Sequence, residues 1–295
     1  MAQRPTIVGI GEILWDLFPT GARFGGAPAN FVCNAAELAG DRIDVSMVSG
    51  VGRDALGTRG LESLLAHGVD TRCVATIDRP TGQVHVTLDA AGQATYEFAV
   101  DTAWDAVAWS EGLQQLATRA DAVCFGTLGQ RSEVSRQTIL RFVRAAPAEA
   151  LRVLDINLRP PFWNEAVVLQ SLPMANVLKL NEAELPIVAE ILRLRGTDDA
   201  LLEQLMKRYP LKLVALTRGA AGAVLLSAAG ERSDLPAPAT AVVDTVGAGD
   251  SFTAALVIGM LRGLPLSTIN AWGNRVAAFV ASQSGSDASF AWPVA

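Results

Sequence analysis

Histidine is nearly missing from this 295-residue chain, which has only His67 and His85, and its three cysteines, Cys33, Cys73 and Cys124, stand far apart outside any C-x-x-C spacing. A zinc site of thiolates and imidazoles needs about four such ligands. None is expected here, and the cysteines read as buried reduced thiols. Long apolar runs are lacking too. Half of the residues are hydrophobic and the mean hydropathy is +0.29, yet Gly, Asp, Asn or Arg breaks each run well before the ~20 residues of a membrane-crossing helix. No basic leader with an apolar stretch and a small-residue cleavage site precedes the strand-like Thr6-Ile7-Val8-Gly9-Ile10, so a cytoplasmic location is expected. Basic clusters are also absent. A net charge of −6 excludes the electrostatic footprint of a nucleic-acid binder, and any anionic substrate must be held by local donors. With no low-complexity tract, linker or internal repeat, residues 1–295 are expected to form a single domain.

What is present is a series of apolar runs that each stop at a polar residue. Val123-Cys124-Phe125-Gly126 ends at Thr127, Val153 to Ile156 at Asn157, Val177 to Leu180 at Asn181, and Leu213 to Leu216 at Thr217. The spacing is close to the ~30 residues of a strand, crossover helix and strand, which predicts an α/β fold with a mostly parallel sheet between helices. Ligands of such sheets bind beyond the carboxyl ends of the strands, where these polar residues would gather. Two segments depart from that rhythm. Residues 12–26 are short, amphipathic and glycine-bounded, and the alternating Gln83 to Asp89 turns at Ala90-Ala91-Gly92 and resumes at Thr95-Tyr96-Glu97-Phe98 as a hairpin. Together they predict a small β-sheet lid formed by about 12–30 and 80–103, which would keep water from a ligand bound beneath it.

The strongest chemical signal is Asp244-Thr245-Val246-Gly247-Ala248-Gly249-Asp250-Ser251-Phe252. Helical spacing through Phe252, Ala255, Leu256, Gly259 and Met260, closed by Gly263 and Pro265, makes this a tight turn opening a buried helix. The first N–H groups of a helix have no internal partner and form an anion site; the small side chains of Gly247, Ala248 and Gly249 would let a phosphate approach them. A carboxylate in that first turn, Asp250, could accept the proton of an attacking hydroxyl. It could equally do no more than complement the helix dipole.

At that string the chain resembles the ribokinase-like, or PfkB, family of carbohydrate kinases, and the resemblance extends over nearly the whole chain. It is carried by Gly11-Glu12 with Asp16, Gly25-Gly26-Ala27-Pro28-Ala29-Asn30, Val51-Gly52-Arg53-Asp54-Ala55-Leu56-Gly57, Pro80-Thr81-Gly82, Asp155-Ile156-Asn157-Leu158-Arg159, Asn181-Glu182-Ala183-Glu184 and Thr217-Arg218-Gly219-Ala220-Ala221-Gly222. The resemblance implies a three-layer α/β/α sandwich with a small β-sheet lid, Asp250 as base and Gly247 to Gly249 as anion hole. It further implies that Asp16, Gly25, Gly26 and Asn30 hold sugar hydroxyls and that Arg159 borders the sugar and phosphate region, while Phe98 is expected among the lid side chains that decide the pocket. For the nucleotide it implies Asn181, Thr217, Arg218, Gly219, Gly222 and Asn274. Glu184 would serve Mg²⁺ through water, and Asp244, Val246 and Ser289 match a K⁺-binding loop of many members. ATP and Mg²⁺ are the implied cofactors, with K⁺ optional. Ser286 stands where the family usually has Ala after Gly285, a departure in the adenine region.

Plainer roles stand beside these. Gly25-Gly26 suits a turn, Asn30 a helix cap, Asn181-x-x-Glu184 a capping box, and Arg159 a solvated surface position. Neither a Walker loop nor a dinucleotide fingerprint is present, since after Gly50-Val51-Gly52 the third glycine falls at Gly57. The expected activity is phosphorylation of a sugar hydroxyl, with D-fructose to fructose 6-phosphate first. Kinases for 2-keto-3-deoxygluconate, ribose or a nucleoside are the alternatives, followed by a non-catalytic sugar-binding regulator. A homodimer through the lid is expected, because an exposed sheet face or edge needs covering.

Overall fold

The computed structural model describes residues 4–88 and 94–283. Ser289, Gly285 and Ser286, and the tip of the hairpin at Ala90 to Gly92, lie outside the described residues. Thirteen strands occur among them: β1 Thr6–Ile10, β2 Leu14–Phe18, β3 Gly21–Gly25, β4 Asp44–Gly52, β5 Val74–Ile77, β6 Gly82–Leu88, β7 Ala94–Phe98, β8 Ala122–Phe125, β9 Leu151–Asp155, β10 Val177–Asn181, β11 Leu213–Thr217, β12 Ala223–Ser227 and β13 Arg232–Leu235. The α-helices are α1 Ala27–Ala39, α2 Ala55–Ala66, α3 Glu111–Ala117, α4 Glu133–Ala145, α5 Glu165–Ser171, α6 Glu184–Leu192, α7 Asp198–Arg208, α8 Ala248–Leu261 and α9 Leu266–Ala281.

Nine strands form one sheet in the order β13-β12-β11-β10-β9-β8-β1-β4-β5. From β11 to β5 all neighbours run parallel, and β12 and β13 add an antiparallel edge. Buried on both faces, these strands are apolar almost throughout, and the alternation of side chains divides them between two cores. Ile7, Ala122, Cys124, Val153 and Ala215 face the core shared with α1, α8 and α9, while Val8, Val123, Phe125, Leu154 and Val214 face the core shared with α3 to α7. Helix α8 is buried along almost its whole length, from Asp250 to Gly259, and packs against both α1 and α9. An all-round apolar helix is what such a central position requires.

The chain leaves β1 toward β4 on one side, and later fills the other side with β8. This makes the carboxyl ends of β1 and β8 the switch point of the sheet, the place where open α/β folds bind ligands.

A separate four-stranded sheet, β3-β2-β6-β7, is built from the two segments that broke the parallel rhythm. Its inner face carries Leu14, Val84 and Val86, with Phe18 and Phe98 packed on them. Residues 27–30, by contrast, open α1 in the main layer. Two of the sequence motifs fix how this sheet meets the rest. The Thr81 hydroxyl donates to Asp54 at 2.6 Å and accepts from the Gly52 N–H at 2.9 Å, while Asp54 also accepts from the Thr81 and Gly57 N–H groups at 2.8 Å each. Burial raises the Asp54 carboxyl, but these donors outweigh it and hold its pKa below the ordinary value. The Gly52-to-Gly57 and Pro80-Thr81-Gly82 motifs are thus one hydrogen-bonded junction.

Candidate active site

The turn before α8 is shaped by Gly247, which has φ 78° and ψ −10°, a left-handed conformation that costs a residue with a Cβ about 1–2 kcal/mol. The first bond of the helical ladder runs from the Ser251 N–H to the Gly247 carbonyl at 2.9 Å, so the N–H groups of Gly249 and Asp250 precede it. Asp250 follows in the first turn, 9% exposed, with the Asn30 side-chain amide donating to its Oδ2 at 2.9 Å. Burial first, then the nearby Asp155 carboxylate, raise its pKa to about 6, against the pull of Lys179, Asn30 and Arg159. A carboxylate near pKa 6 is a better base than an ordinary aspartate and still ionised at neutral pH. Asn30 lies inside α1 and not at its cap, which is Gly26.

Beneath the turn lies a buried ion pair that the motifs did not single out. Lys179, in the middle of β10, reaches Asp155 at the end of β9 at 3.0 Å, and both side chains are 7% exposed. Thr253 of α8 donates to the other oxygen of Asp155 at 3.1 Å. A Cβ placed on Gly249 would come within 3.0 Å of the Lys179 ammonium, so the positive charge sits directly under the turn. Burial lowers the Lys179 pKa, but Asp155, Glu184 and Asp250 outweigh it and the pKa is raised. The sequence signal was there: a lysine inside the apolar Val-Leu-Lys-Leu run is almost never fully buried without a partner.

In front of Asp250 opens a crevice lined in part by Glu12, Gly126, Thr127, Asp155, Asn157 and Asp250. Of the predicted sugar residues, Gly26 adjoins the lining Ala27 and Asn30 bonds to the lining Asp250. Gly26, at φ 110°, lets the chain turn into α1 with its backbone against Glu12; a Cβ there would meet the Glu12 carbonyl at 2.5 Å. Asp16 on β2 stands opposite Arg23 on β3, and a Cβ on Gly25 would lie 3.1 Å from its Oδ2. Burial raises the Asp16 pKa to about 6, opposed by Arg159 and Arg23 and reinforced by Asp244. Arg159 is exposed, and its charge acts on Glu12, Asp16 and Asp250 alike. Phe98 meets Phe162 edge-on at 5.5 Å, joining the small sheet to the loop that carries Arg159.

On the other side of the turn the predicted nucleotide residues are already engaged with the protein. Asn181 and Glu184 form a reciprocal capping box: the Glu184 N–H donates to Asn181 Oδ1 at 3.0 Å, and the Asn181 N–H to Glu184 Oε2 at 2.8 Å. Glu184 Oε1 accepts from the Leu158 N–H at 2.9 Å. Burial, only partly offset by Lys179, raises the Glu184 pKa. Thr217 ends β11, and the Gly219–Ala221 turn follows, closed by the Arg218 N–H on the Gly222 carbonyl at 2.7 Å. The Arg218 guanidinium pairs with Asp234 and donates to the Ala221 carbonyl. Asn274, in α9, donates to Asn270 at 2.9 Å and to the Leu235 carbonyl at 3.3 Å.

Asp244 accepts from the Val246 N–H and from Arg23, each at 3.0 Å, which ties β3 to the segment before the turn. Among the described residues no cluster of three or more His, Cys, Asp or Glu could hold a metal ion. No helix among them is long and apolar enough to cross a membrane. Cys33 and Cys124 are buried and Cys73 is half-buried, all three without disulfide.

Comparison with known proteins gives this arrangement a family. The chain is 32% identical to a fructokinase of Salmonella typhimurium over 271 residues, covering 87% of this chain and 85% of the relative. A sugar kinase of Pyrococcus horikoshii, solved in complex with ATP, is 28% identical and superposes with a TM-score of 0.78 over 95% of this chain and 93% of that one. An aminoimidazole riboside kinase of Salmonella enterica shares the fold at 22% identity, with a TM-score of 0.78 over 95% of each chain. The model of the pfkB family carbohydrate kinases matches residues 19–293, and the chain belongs to that family.

Proposed function

We propose that this carbohydrate kinase transfers the γ-phosphoryl group of ATP to the 6-hydroxyl of D-fructose. The observation that carries the reaction type is the placement of Asp250, buried beside the crevice, in the first turn of a helix that opens behind a left-handed glycine. The sugar lies across the crevice, held by Asp16, Asn30, the Gly25-Gly26 backbone and Arg159, with Phe98 on its flank. Asp250 takes the proton of the attacking hydroxyl, the oxygen bonds to the γ-phosphorus, the bond to the β-phosphate oxygen breaks, and ADP leaves. The N–H groups of residues 247–249 and the Lys179 charge beneath them receive the charge that develops on the transferred group.

The nucleotide is placed along the Asn181, Thr217 and Gly219–Gly222 turns and toward Asn274. Arg218, fixed by Asp234, shapes the loop. Mg²⁺ neutralises phosphate charge when bound with the nucleotide. Both Glu184 oxygens already accept backbone N–H groups, which suits a role through water and not direct ligation, and Mg²⁺ keeps most of its waters in such sites. K⁺ would lie at the backbone carbonyls around Asp244 and Val246. The four-stranded sheet, within about 12–30 and 80–103, acts as a lid over the sugar in a single-domain enzyme of the cytoplasm. Its exposed Tyr96 and nearby Val100 suit pairing with a second copy, which sedimentation at micromolar concentration tests.

Fructose is supported by the curated relative of that name at 32% identity. The exposed Arg159 beside three carboxylates supports a second reading, a sugar acid such as 2-keto-3-deoxygluconate, whose carboxylate it would pair. Ribose or a nucleoside is the remaining alternative, a riboside kinase sharing the fold. A coupled ADP assay across D-fructose, D-ribose, a nucleoside and 2-keto-3-deoxygluconate decides between them. The base is tested by Asp250→Ala, which should lower kcat by about 10²–10⁴-fold with sugar affinity little changed. Near wild-type turnover would overturn it, and sugar binding with no ATP consumption in the wild type would make the chain a sugar-binding regulator.

A further inference from the structure

Glu12 follows the carboxyl end of β1, beside β8, at the switch point of the main sheet. It is 3% exposed and lines the same crevice as Asp250. One carboxylate oxygen, Oε1, accepts from the Ala27 N–H at 3.3 Å and so braces the entry to α1. The other, Oε2, is buried with no hydrogen-bond partner, and so is Oδ1 of Asn30, whose amide nitrogen is held by Asp250. Buried acceptors without a donor are uncommon in folded proteins, and an unmet one at a ligand crevice calls for a donor from the ligand. The room next to Oε2 is also constrained, since a Cβ on Gly129 would come within 3.4 Å of it and within 2.9 Å of the Gly11 Cα.

We infer that Glu12 is a sugar-binding and specificity-determining residue: its Oε2 accepts a hydrogen bond from a substrate hydroxyl other than the one facing Asp250. It thereby selects a neutral polyhydroxylated sugar over an analogue lacking that hydroxyl or carrying a carboxylate there. The inference rests on the sugar-kinase reading above and adds a residue to it. Two orphaned acceptors, Glu12 Oε2 and Asn30 Oδ1, flank the base, and a substrate presenting two further O–H donors would satisfy both. Electrostatics agrees with an acceptor that works only when ionised. Burial, and after it the charge of Asp250, bring the Glu12 pKa to about 7, against its own and the Ala27 N–H groups and the charge of Arg159. The Cys124 thiol is the other titratable group that its charge reaches. A protonated Glu12 would present a donor where the sugar needs an acceptor, so sugar binding weakens as pH falls through about 7.

The test is Glu12→Gln, assayed for ADP formation with whichever of D-fructose, D-ribose and 2-keto-3-deoxygluconate the wild type uses best. The amide oxygen can stay on the Ala27 N–H, which puts an NH₂ donor in the place of Oε2. The sugar KM should rise about 10-fold or more, with kcat and the KM for ATP within about 3-fold of wild type. The difference between the two proteins should be largest above pH 7 and shrink below it. A set of single-deoxy sugars should include one whose KM is the same for both proteins. An unchanged sugar KM overturns the inference. So does a joint shift of kcat and both KM values, which would mean that Glu12 only braces the Ala27 entry. Should the variant not fold, titration calorimetry of the wild type decides instead. Sugar binding at pH 7 should release about half a proton, and no release overturns the assignment. Proton-releasing sugar binding without any ADP formation would leave Glu12 in place and sink the kinase reading.

Discussion

The two sides of the glycine turn treat their polar groups differently. Toward the sheet switch point, Glu12 Oε2 and Asn30 Oδ1 are buried and unmet, and three carboxylates, Glu12, Asp16 and Asp250, have pKa values raised to about 7, 6 and 6. Toward β11 and α9, Glu184, Asn181, Arg218 and Asn274 are each engaged with neighbouring backbone or side chains. One side keeps acceptors open at the expense of folding energy, and the other is a finished scaffold. On the function proposed above, the difference would separate a surface that reads individual hydroxyls from one that needs only to cradle repeating phosphates.

The comparison can be broken at several points. The largest effect is expected from Asp250→Asn, which keeps a partner for Asn30 but removes the base; kcat measured by coupled assay should fall about 10²–10⁴-fold. If it does not, the open side holds no base. Next comes Lys179→Met, which strands the buried Asp155 carboxylate. Unfolding monitored in urea should show a loss of about 3–5 kcal/mol, much reduced when Asp155 is made Leu as well. A double variant as unstable as the single would mean that packing, not charge, explains the pair.

The raised carboxylates carry a pH signature of their own. A folded pKa of about 6 for Asp250 against 3.8 for the ordinary group means that the folded state binds the proton more tightly. That contribution to stability is complete below about pH 4 and is lost as pH rises through about 6, amounting to about 3 kcal/mol for the site. Asp250→Asn should therefore flatten the stability profile between pH 4 and 6 relative to wild type, and parallel profiles would deny the shift. Arg159→Ala should move the acidic limb of kcat/KM upward, since its charge lowers Glu12, Asp16 and Asp250 together; an unmoved limb would place the guanidinium too far into solvent to matter. The smallest effect belongs to the finished side. Arg218→Ala should raise the KM for ATP only a few-fold, roughly 1 kcal/mol or less as for an exposed pair, and a loss of 100-fold or more would make it a direct phosphate ligand.

Much of this fold could be read from the chain because its parallel strands are buried on both faces, so Val123 to Phe125, Val153 to Leu154 and Leu213 to Leu216 are continuous apolar runs with polar ends. The helix behind Gly247 was equally plain, since a tight small-residue turn before an all-apolar stretch has few other solutions. Long-range electrostatics was not legible. Lys179 and Asp155 are 24 residues apart in sequence and Arg23 and Asp244 are 221 apart; no local pattern links either pair. Glu12 was visible as a residue type, but its significance depends on which of its oxygens lacks a donor, and that is decided only by packing. Asn30 was read as a helix cap or a sugar ligand, and the structure gives it a third partner in Asp250.

That last contact has a consequence for biosynthesis. Asn30 and Asp250 are 220 positions apart, so the candidate base and the amide that steadies it come from opposite ends of the polypeptide. A ribosome that has emitted the first two hundred residues has released α1 without α8, the helix it packs against, and therefore without Asp250. Domains dominated by such distant pairings fold slowly and expose apolar surface while they wait. The nascent protein's demand for chaperone cover should therefore peak just before α8 clears the exit tunnel.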